Sequence, residues 1–212
     1  MSDLNGQKIV TPQIKDNHLV IADDDMNLRK PYYWQAPKEY LGEKLYSYGG
    51  DLRFMIGYTV LRGDVSGYFT EDSDVILEGG PSNLRVGHNW KKYDTHEGDK
   101  AIITLPLREQ EWFILDSEGR NVRPATREEY TLVLHDLKRM LIRAKFHTDQ
   151  IEGAIYQVEL EKASKDSKSL KKQEGAEMCN CPEGYTGLSC SECAPGYRRV
   201  SFSVFAKKSP RH

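Results

Sequence analysis

The stretch DLRFMIGYTVL, residues 51–61, decides the fold class. Leu52, Phe54, Ile56, Tyr58 and Val60 alternate with Arg53, Met55, Gly57, Thr59 and Leu61. Successive side chains of a pleated strand point to opposite faces, so this period of two lays an apolar row along one face. Gly49-Gly50 before it and Arg62-Gly63-Asp64 after it supply turn residues at both ends.

The segments on either side repeat the theme. HLVIADDD at 18–25 is strand-like, and KPYYWQAPKEYLG at 30–42 is rich in aromatics and proline. Shorter strand candidates follow at 74–78 (DVILE), 100–107 (KAIITLPL) and 111–115 (EWFIL), separated by glycine, proline, asparagine and aspartate. One helix is expected. Thr126 and Glu129 spell a capping box, and Tyr130, Val133, Leu134 and Leu137 recur at helical spacing. Near Lys138 the period returns to two, with Met140, Ile142, Ala144 and Phe146 alternating with Leu141, Arg143 and Lys145; a last strand covers 154–160. Many strands and one short helix predict a mainly β chain, a jelly-roll-like β-sandwich.

The composition is that of a globular protein, 38% hydrophobic and 29% charged, with net charge −2. That balance gives no reason to expect nucleic acid or an anionic membrane as partner. No apolar run reaches the roughly 20 residues that a spanning helix needs. MSDLNGQKIV has neither a basic n-region nor an apolar h-region, so no signal peptide is read at the N-terminus. Such a chain is either cytosolic or a fragment of a longer one.

After Leu160 the composition changes. EKASKDSKSLKKQEGAE is polar and lysine-rich, as a solvated linker is; Glu161, Asp166 and Glu174 dilute its lysines as an anion patch. The expected division is a β-sandwich over 1–162, a linker over 163–178, a cysteine module over 179–200 and a tail over 201–212. All four cysteines, Cys179, Cys181, Cys190 and Cys193, stand in CNCPEGYTGLSCSEC. Four thiolates can close a zinc shell, but zinc sites favour paired C-x2-C spacing and only Cys190 and Cys193 have it. The alternative is a disulfide module. Pro182, Gly184, Tyr185 and Gly187 make a turn-rich loop with little to bury, and such segments rely on cross-links.

The residues C-x-C-P-x-G-Y-x-G-x-x-C-x-x-C-x-x-G-Y at 179–197 resemble the second half of a laminin-type EGF-like module. YYWQAPKEYLGEKLYSYGGDLRF at 32–54, TREEYTLVLHDLKRMLIRAKFHT at 126–148 and GAIYQVELEKA at 153–163 resemble the laminin IV type A domain, also called laminin B. The similarity covers about residues 5–198. Within the family, YLG…YSYGGDLRF, VILEGG and LSCSECAPGYRRV are most similar to basement-membrane proteoglycans of the perlecan type, with laminin α chains second. The resemblance implies a disulfide between Cys181 and Cys190. It implies that Cys179 and Cys193 pair with cysteines outside this chain, hence that the chain is a fragment. It also implies an extracellular, basement-membrane location.

Arg62-Gly63-Asp64 is the one tripeptide with a known recognition chemistry. An arginine and an aspartate splayed from a turn can bridge an integrin's acidic pocket and its metal; the same residues also serve simply as a turn. Asp23-Asp24-Asp25 and Glu71-Asp72-Ser73-Asp74 have calcium-type oxygens but no accompanying loop pattern. Tyr32, Tyr33, Trp34, Tyr46 and Tyr48 can be a sugar platform, though aromatics beside a strand are more often core and rim. His18, His88, His96, His135 and His147 show no metal-ligand spacing, and there is no nucleophile elbow, phosphate loop or metalloprotease helix. The expected function is therefore a non-catalytic extracellular-matrix spacer without cofactor, whose partners are other matrix proteins. The competing readings are an integrin ligand through Arg62, Gly63 and Asp64, a carbohydrate-binding jelly roll, and a cytosolic zinc protein.

Overall fold

The strand expected over 51–61 forms as Asp51–Val60, an interior strand of a five-stranded sheet. A computed structural model describes residues 1–26, 30–61, 67–89, 100–163, 183, 185–186 and 192–196. The chain divides into two compact units, Met1–Ala176 and Glu177–His212. In the first unit the elements run β1 (Ser2–Asp3), β2 (Gln13–Lys15), β3 (His18–Ala22), α1 (Asp23–Met26), β4 (Tyr32–Gln35), β5 (Asp51–Val60) and β6 (Val75–Gly79). They continue with β7 (Leu84–His88), β8 (Ala101–Pro106), β9 (Trp112–Leu115), β10 (Asn121–Pro124), α2 (Arg127–His135), β11 (Leu137–Arg143) and β12 (Gln150–Leu160). The second unit contributes β13 (Tyr185–Thr186) paired with β14 (Glu192–Cys193), Tyr185 standing opposite Cys193.

Two antiparallel sheets form the expected sandwich, one ordered β1-β4-β11-β6-β7-β9-β10 and the other β2-β3-β12-β5-β8. The alternation in β5 does what its period predicts. Leu52, Phe54, Ile56 and Tyr58 are buried together with Ile103 and Leu105 of β8, Ile155 of β12, and Trp34, Leu77, Met140 and Trp112 from the other sheet. The β2–β3 hairpin turns through Asp16 and Asn17, both at positive φ (42° and 64°), the backbone that a two-residue primed turn requires.

The capping box forms as read. The Thr126 hydroxyl accepts the Glu129 amide at 3.2 Å, and the Glu129 carboxylate accepts the Thr126 amide at 3.0 Å. Helix α2 then lays Tyr130, Val133 and Leu134 on the core. One expectation needs correction. Asp23-Asp24-Asp25, which closes the strand-like stretch 18–25, forms with Met26 the one-turn helix α1, so α2 is not the only helix. Strands β1, β2, β4, β7 and β10 carry no alternation strong enough to have been read from the sequence.

The seven-stranded sheet is apolar on both faces. Besides the residues facing the sandwich, Tyr33, Ile76, Leu115 and Leu141 form a second buried cluster, and Leu4 packs against it. This explains why β6 opens on the unbroken apolar run Val75-Ile76-Leu77, and why Leu141 of β11 is buried although it alternates with Met140 and Ile142.

Candidate functional site

The described flanks of the tripeptide segment meet where β5 leaves its sheet and β11 turns into β12. Residues 62–66, with Arg62, Gly63 and Asp64, lie outside the described residues; both flanks are described. On one side the Leu61 amide donates to the Asp149 carbonyl at 3.0 Å. On the other, the Tyr68 amide donates to the Thr148 hydroxyl at 3.1 Å and the Thr70 amide to the Phe146 carbonyl at 2.9 Å. The flanks are thus held by one turn, 144–150. That turn is braced from inside by Gln150, whose amide donates to the Ala144 carbonyl at 2.7 Å while its carbonyl accepts the Phe146 amide at 2.9 Å.

Two buried cations anchor the same region. Arg143 pairs with Asp74 at 2.6 Å, donates to the Thr70 carbonyl at 2.6 Å and lies over the Phe146 ring at 4.7 Å. Lys145 pairs with Asp23 at 2.8 Å. Burial raises the Asp72 carboxyl, an effect that the Arg143 charge opposes. Burial also pushes the Tyr32 hydroxyl far up, with the Asp23 charge adding to it. Of the two acidic runs, the Asp23 and Asp74 carboxylates are engaged by buried cations. Among the described residues no three His, Cys, Asp or Glu side chains are grouped to hold a metal.

Leu61, Tyr68, Phe69 and Ile151 leave between 46% and 69% of their surface in water around these flanks, a local apolar rim. The aromatics offered as a sugar platform do not form one. Tyr32, Tyr33 and Trp34 are buried, and the Tyr48 hydroxyl is spent on Glu109 at 2.6 Å. A separate cleft of about 450 Å³ opens between the sheets, lined by Ile14, Trp34, Pro37, Tyr40, Tyr156 and Val158. It carries no acid–base pair. The Tyr40 hydroxyl donates to the Val158 carbonyl at 2.8 Å, and the His18 ring stacks on Tyr156 at 4.5 Å.

His88 is the one deeply buried histidine among the described residues, 3% exposed; its Nε2 lies 3.2 Å from the Glu111 carboxylate and its ring sits edge-on to Trp112. Burial lowers its pKa against the pull of Glu111. Of the cysteines, Cys179, Cys181 and Cys190 lie outside the described residues, and Cys193 is placed only as a backbone position in β14.

Comparison with known proteins gives this arrangement a context. The laminin B (domain IV) family profile matches residues 33–176, and the laminin EGF domain profile matches residues 165–204. The mouse (Mus musculus) basement membrane-specific heparan sulfate proteoglycan core protein is 33% identical over 204 residues, covering 96% of this chain but 5% of that protein. The human (Homo sapiens) laminin subunit alpha-1 is 29% identical over 185 residues, covering 86% of this chain and 6% of its own length. Among solved structures, the L4b domain of human laminin alpha-2 superimposes with a TM-score of 0.66 at 24% identity, covering 77% of this chain and 90% of that one. At that identity the superposition establishes the shared sandwich.

Proposed function

The chain belongs to the laminin B (domain IV) family, and from that premise we propose that it is a non-catalytic structural module of a basement-membrane protein. Its side chains support the reading. The buried charges Asp74, Arg143 and Lys145 and the half-buried Asp23 are spent in ion pairs, and the cleft lacks convergent acid–base groups. The second unit continues the module chain as a laminin-type EGF segment in which Cys181 pairs with Cys190, while Cys179 and Cys193 bond to cysteines of flanking sequence. The location is extracellular and the partners are other matrix proteins. The carrying observation is the family match over 33–176. Expressed in secreting cells with its natural flanks, the protein should co-deposit with basement-membrane matrix, its Cys181 and Cys190 linked. Retention in the cytosol with reduced thiols would overturn the reading.

A second reading concerns Arg62-Gly63-Asp64 as an adhesion site for an integrin. It is supported by the pinned flanks at Leu61 and 67–70 and by the exposed rim of Leu61, Tyr68 and Phe69 beside them. Cells should attach to the wild-type domain and not to Asp64→Glu; equal attachment to both removes this reading and leaves the first intact.

A further inference from the structure

Asn5-Gly6 is the only asparagine–glycine pair in the chain, and it lies in the loop that covers the outer face of the seven-stranded sheet. The loop is closed on itself. The Asp3 amide donates to the Lys8 carbonyl at 3.2 Å, the Gly6 amide to the Asp3 carbonyl at 3.2 Å, and the Gln7 amide to the Asp3 carboxylate at 2.7 Å. Two arginines latch it to the sheet. Arg139 donates to the Leu4 carbonyl at 3.1 Å, and Arg85 donates to the Asn5 side-chain carbonyl at 3.2 Å while also holding Glu78 at 2.9 Å. Leu4 thereby packs against Tyr33, Ile76, Leu115 and Leu141.

We propose that Asn5 is a site of spontaneous deamidation, and that the product formed there decides whether this loop stays latched over the sheet. Three observations meet at the residue. Asn5 is exposed to water. The attacking nitrogen belongs to a glycine, at φ +72°, with no side chain to hinder it. The guanidinium of Arg85 sits on the oxygen that gains negative charge when the amide is attacked, as an oxyanion donor does.

The reaction is a condensation followed by a hydrolysis. The Gly6 nitrogen leaves its bond to the Asp3 carbonyl, loses its proton to water and forms a bond to the Asn5 side-chain carbon. The amide C–N bond breaks and ammonia departs, leaving a succinimide. Water then opens either carbonyl of that ring. Opening at the backbone-derived carbonyl carbon gives isoaspartate; opening at the side-chain carbonyl carbon gives aspartate. Aspartate places a carboxylate where Arg85 now meets a neutral amide, which tightens the latch. Isoaspartate routes the main chain through the side chain, lengthening it by a methylene inside a closed loop, and breaks the bonds from Asp3 to Lys8.

The test is peptide mapping of the native chain during prolonged incubation at neutral pH, with isoaspartate quantified. Asn5 should convert several-fold faster than Asn83 and Asn121, which precede leucine and valine. Arg85→Gln should slow Asn5 several-fold and leave Asn121 unchanged. Because that variant also frees Glu78, Gly6→Ala serves as a second: it keeps Arg85 and should suppress conversion. Hydrogen exchange on the isoaspartate fraction should show lost protection at the Asp3 and Gln7 amides. Conversion of Asn5 no faster than of Asn83 and Asn121, or unchanged exchange in the isoaspartate fraction, overturns the proposal.

Discussion

Arg143 and Asp74 meet at 2.6 Å with both side chains almost wholly withdrawn from water, 4% and 3% exposed. The pair ties the end of β11 to the segment that enters β6, and the Asp74 carbonyl accepts the Arg143 amide at 2.7 Å as well. An ion pair so deep is held by mutual dependence. Each charge has left water, and each is tolerated because the other is there.

Removing one partner is therefore expected to be far more damaging than removing both. Asp74→Ala leaves the guanidinium buried without its counterion and should lower stability by about 3–5 kcal/mol. Arg143→Leu with Asp74→Leu should recover most of that loss. Urea denaturation of the single and double variants reads the coupling directly; additive losses would show that the pair is not the unit.

The start of α2 is expected to govern stability in acid. Arg123, then the Thr126 amide, hold the Glu129 carboxyl down at about 2, against an ordinary value of 4.5. A depressed carboxyl stabilises the fold fully above its unfolded value and progressively less as pH falls from 4.5 toward 2. Glu129→Gln should flatten the stability profile in that window, and Thr126→Ala should lower stability by about 1 kcal/mol at neutral pH.

His88 is expected to act in a different window. Its pKa is lowered by burial, so below the ordinary 6.5 the unfolded chain takes up a proton that the folded chain refuses. Stability should be complete above pH 6.5 and decline as pH drops beneath it. Thermal melts of the wild type should fall as pH drops through that range while those of His88→Gln stay nearly level; equal slopes in the two would clear the histidine.

Gly79 is expected to resist any side chain, although it ends a strand. A Cβ there would sit 2.6 Å from the Val133 carbonyl and closer still to that of Asp136, both backbone atoms that cannot swing away. Gly79→Ala should destabilise by about 1–3 kcal/mol through overpacking against the end of α2. Gly42→Ala is the comparison: its positive φ strains any side chain, but nothing lies within 4 Å of the added methyl.

What could be read from the sequence follows from where each element's partners lie. Strand β5 and helix α2 were legible because their signals are local: a period of two with one buried face, and a cap three residues from its mate. Strand β4 was not, since Tyr32 and Trp34 face one cluster and Tyr33 the other, so its first three positions are all aromatic and buried and no alternation survives. Strand β7 hides two polar side chains, Arg85 and His88, whose partners Glu78 and Glu111 come from other elements. Arg143 and Lys145 alternate with apolar positions along the chain, yet Asp74 and Asp23 draw both inside. The cleft between the sheets was invisible for the same reason: Ile14, Trp34 and Val158 come from three separate parts of the chain.

The cysteine segment carries the last prediction. Among the described residues of this segment, strands β13 and β14 pair through two residues each, with Tyr185 opposite Cys193. Hydrogen bonds alone leave so small a pair marginal in water, so a covalent link is expected to supply the constraint. Closing Cys181 to Cys190 would stabilise this segment by roughly 2–3 kcal/mol through the entropy removed from the unfolded chain. In protein secreted with its natural flanks, Cys181→Ser and Cys190→Ser should each show that loss, and the double variant should show no more than either single one. Unreduced mass mapping must find the two sulfurs joined in the wild type. Additive losses, or full alkylation of Cys181 and Cys190 before reduction, would mean that something other than this bridge holds the hairpin.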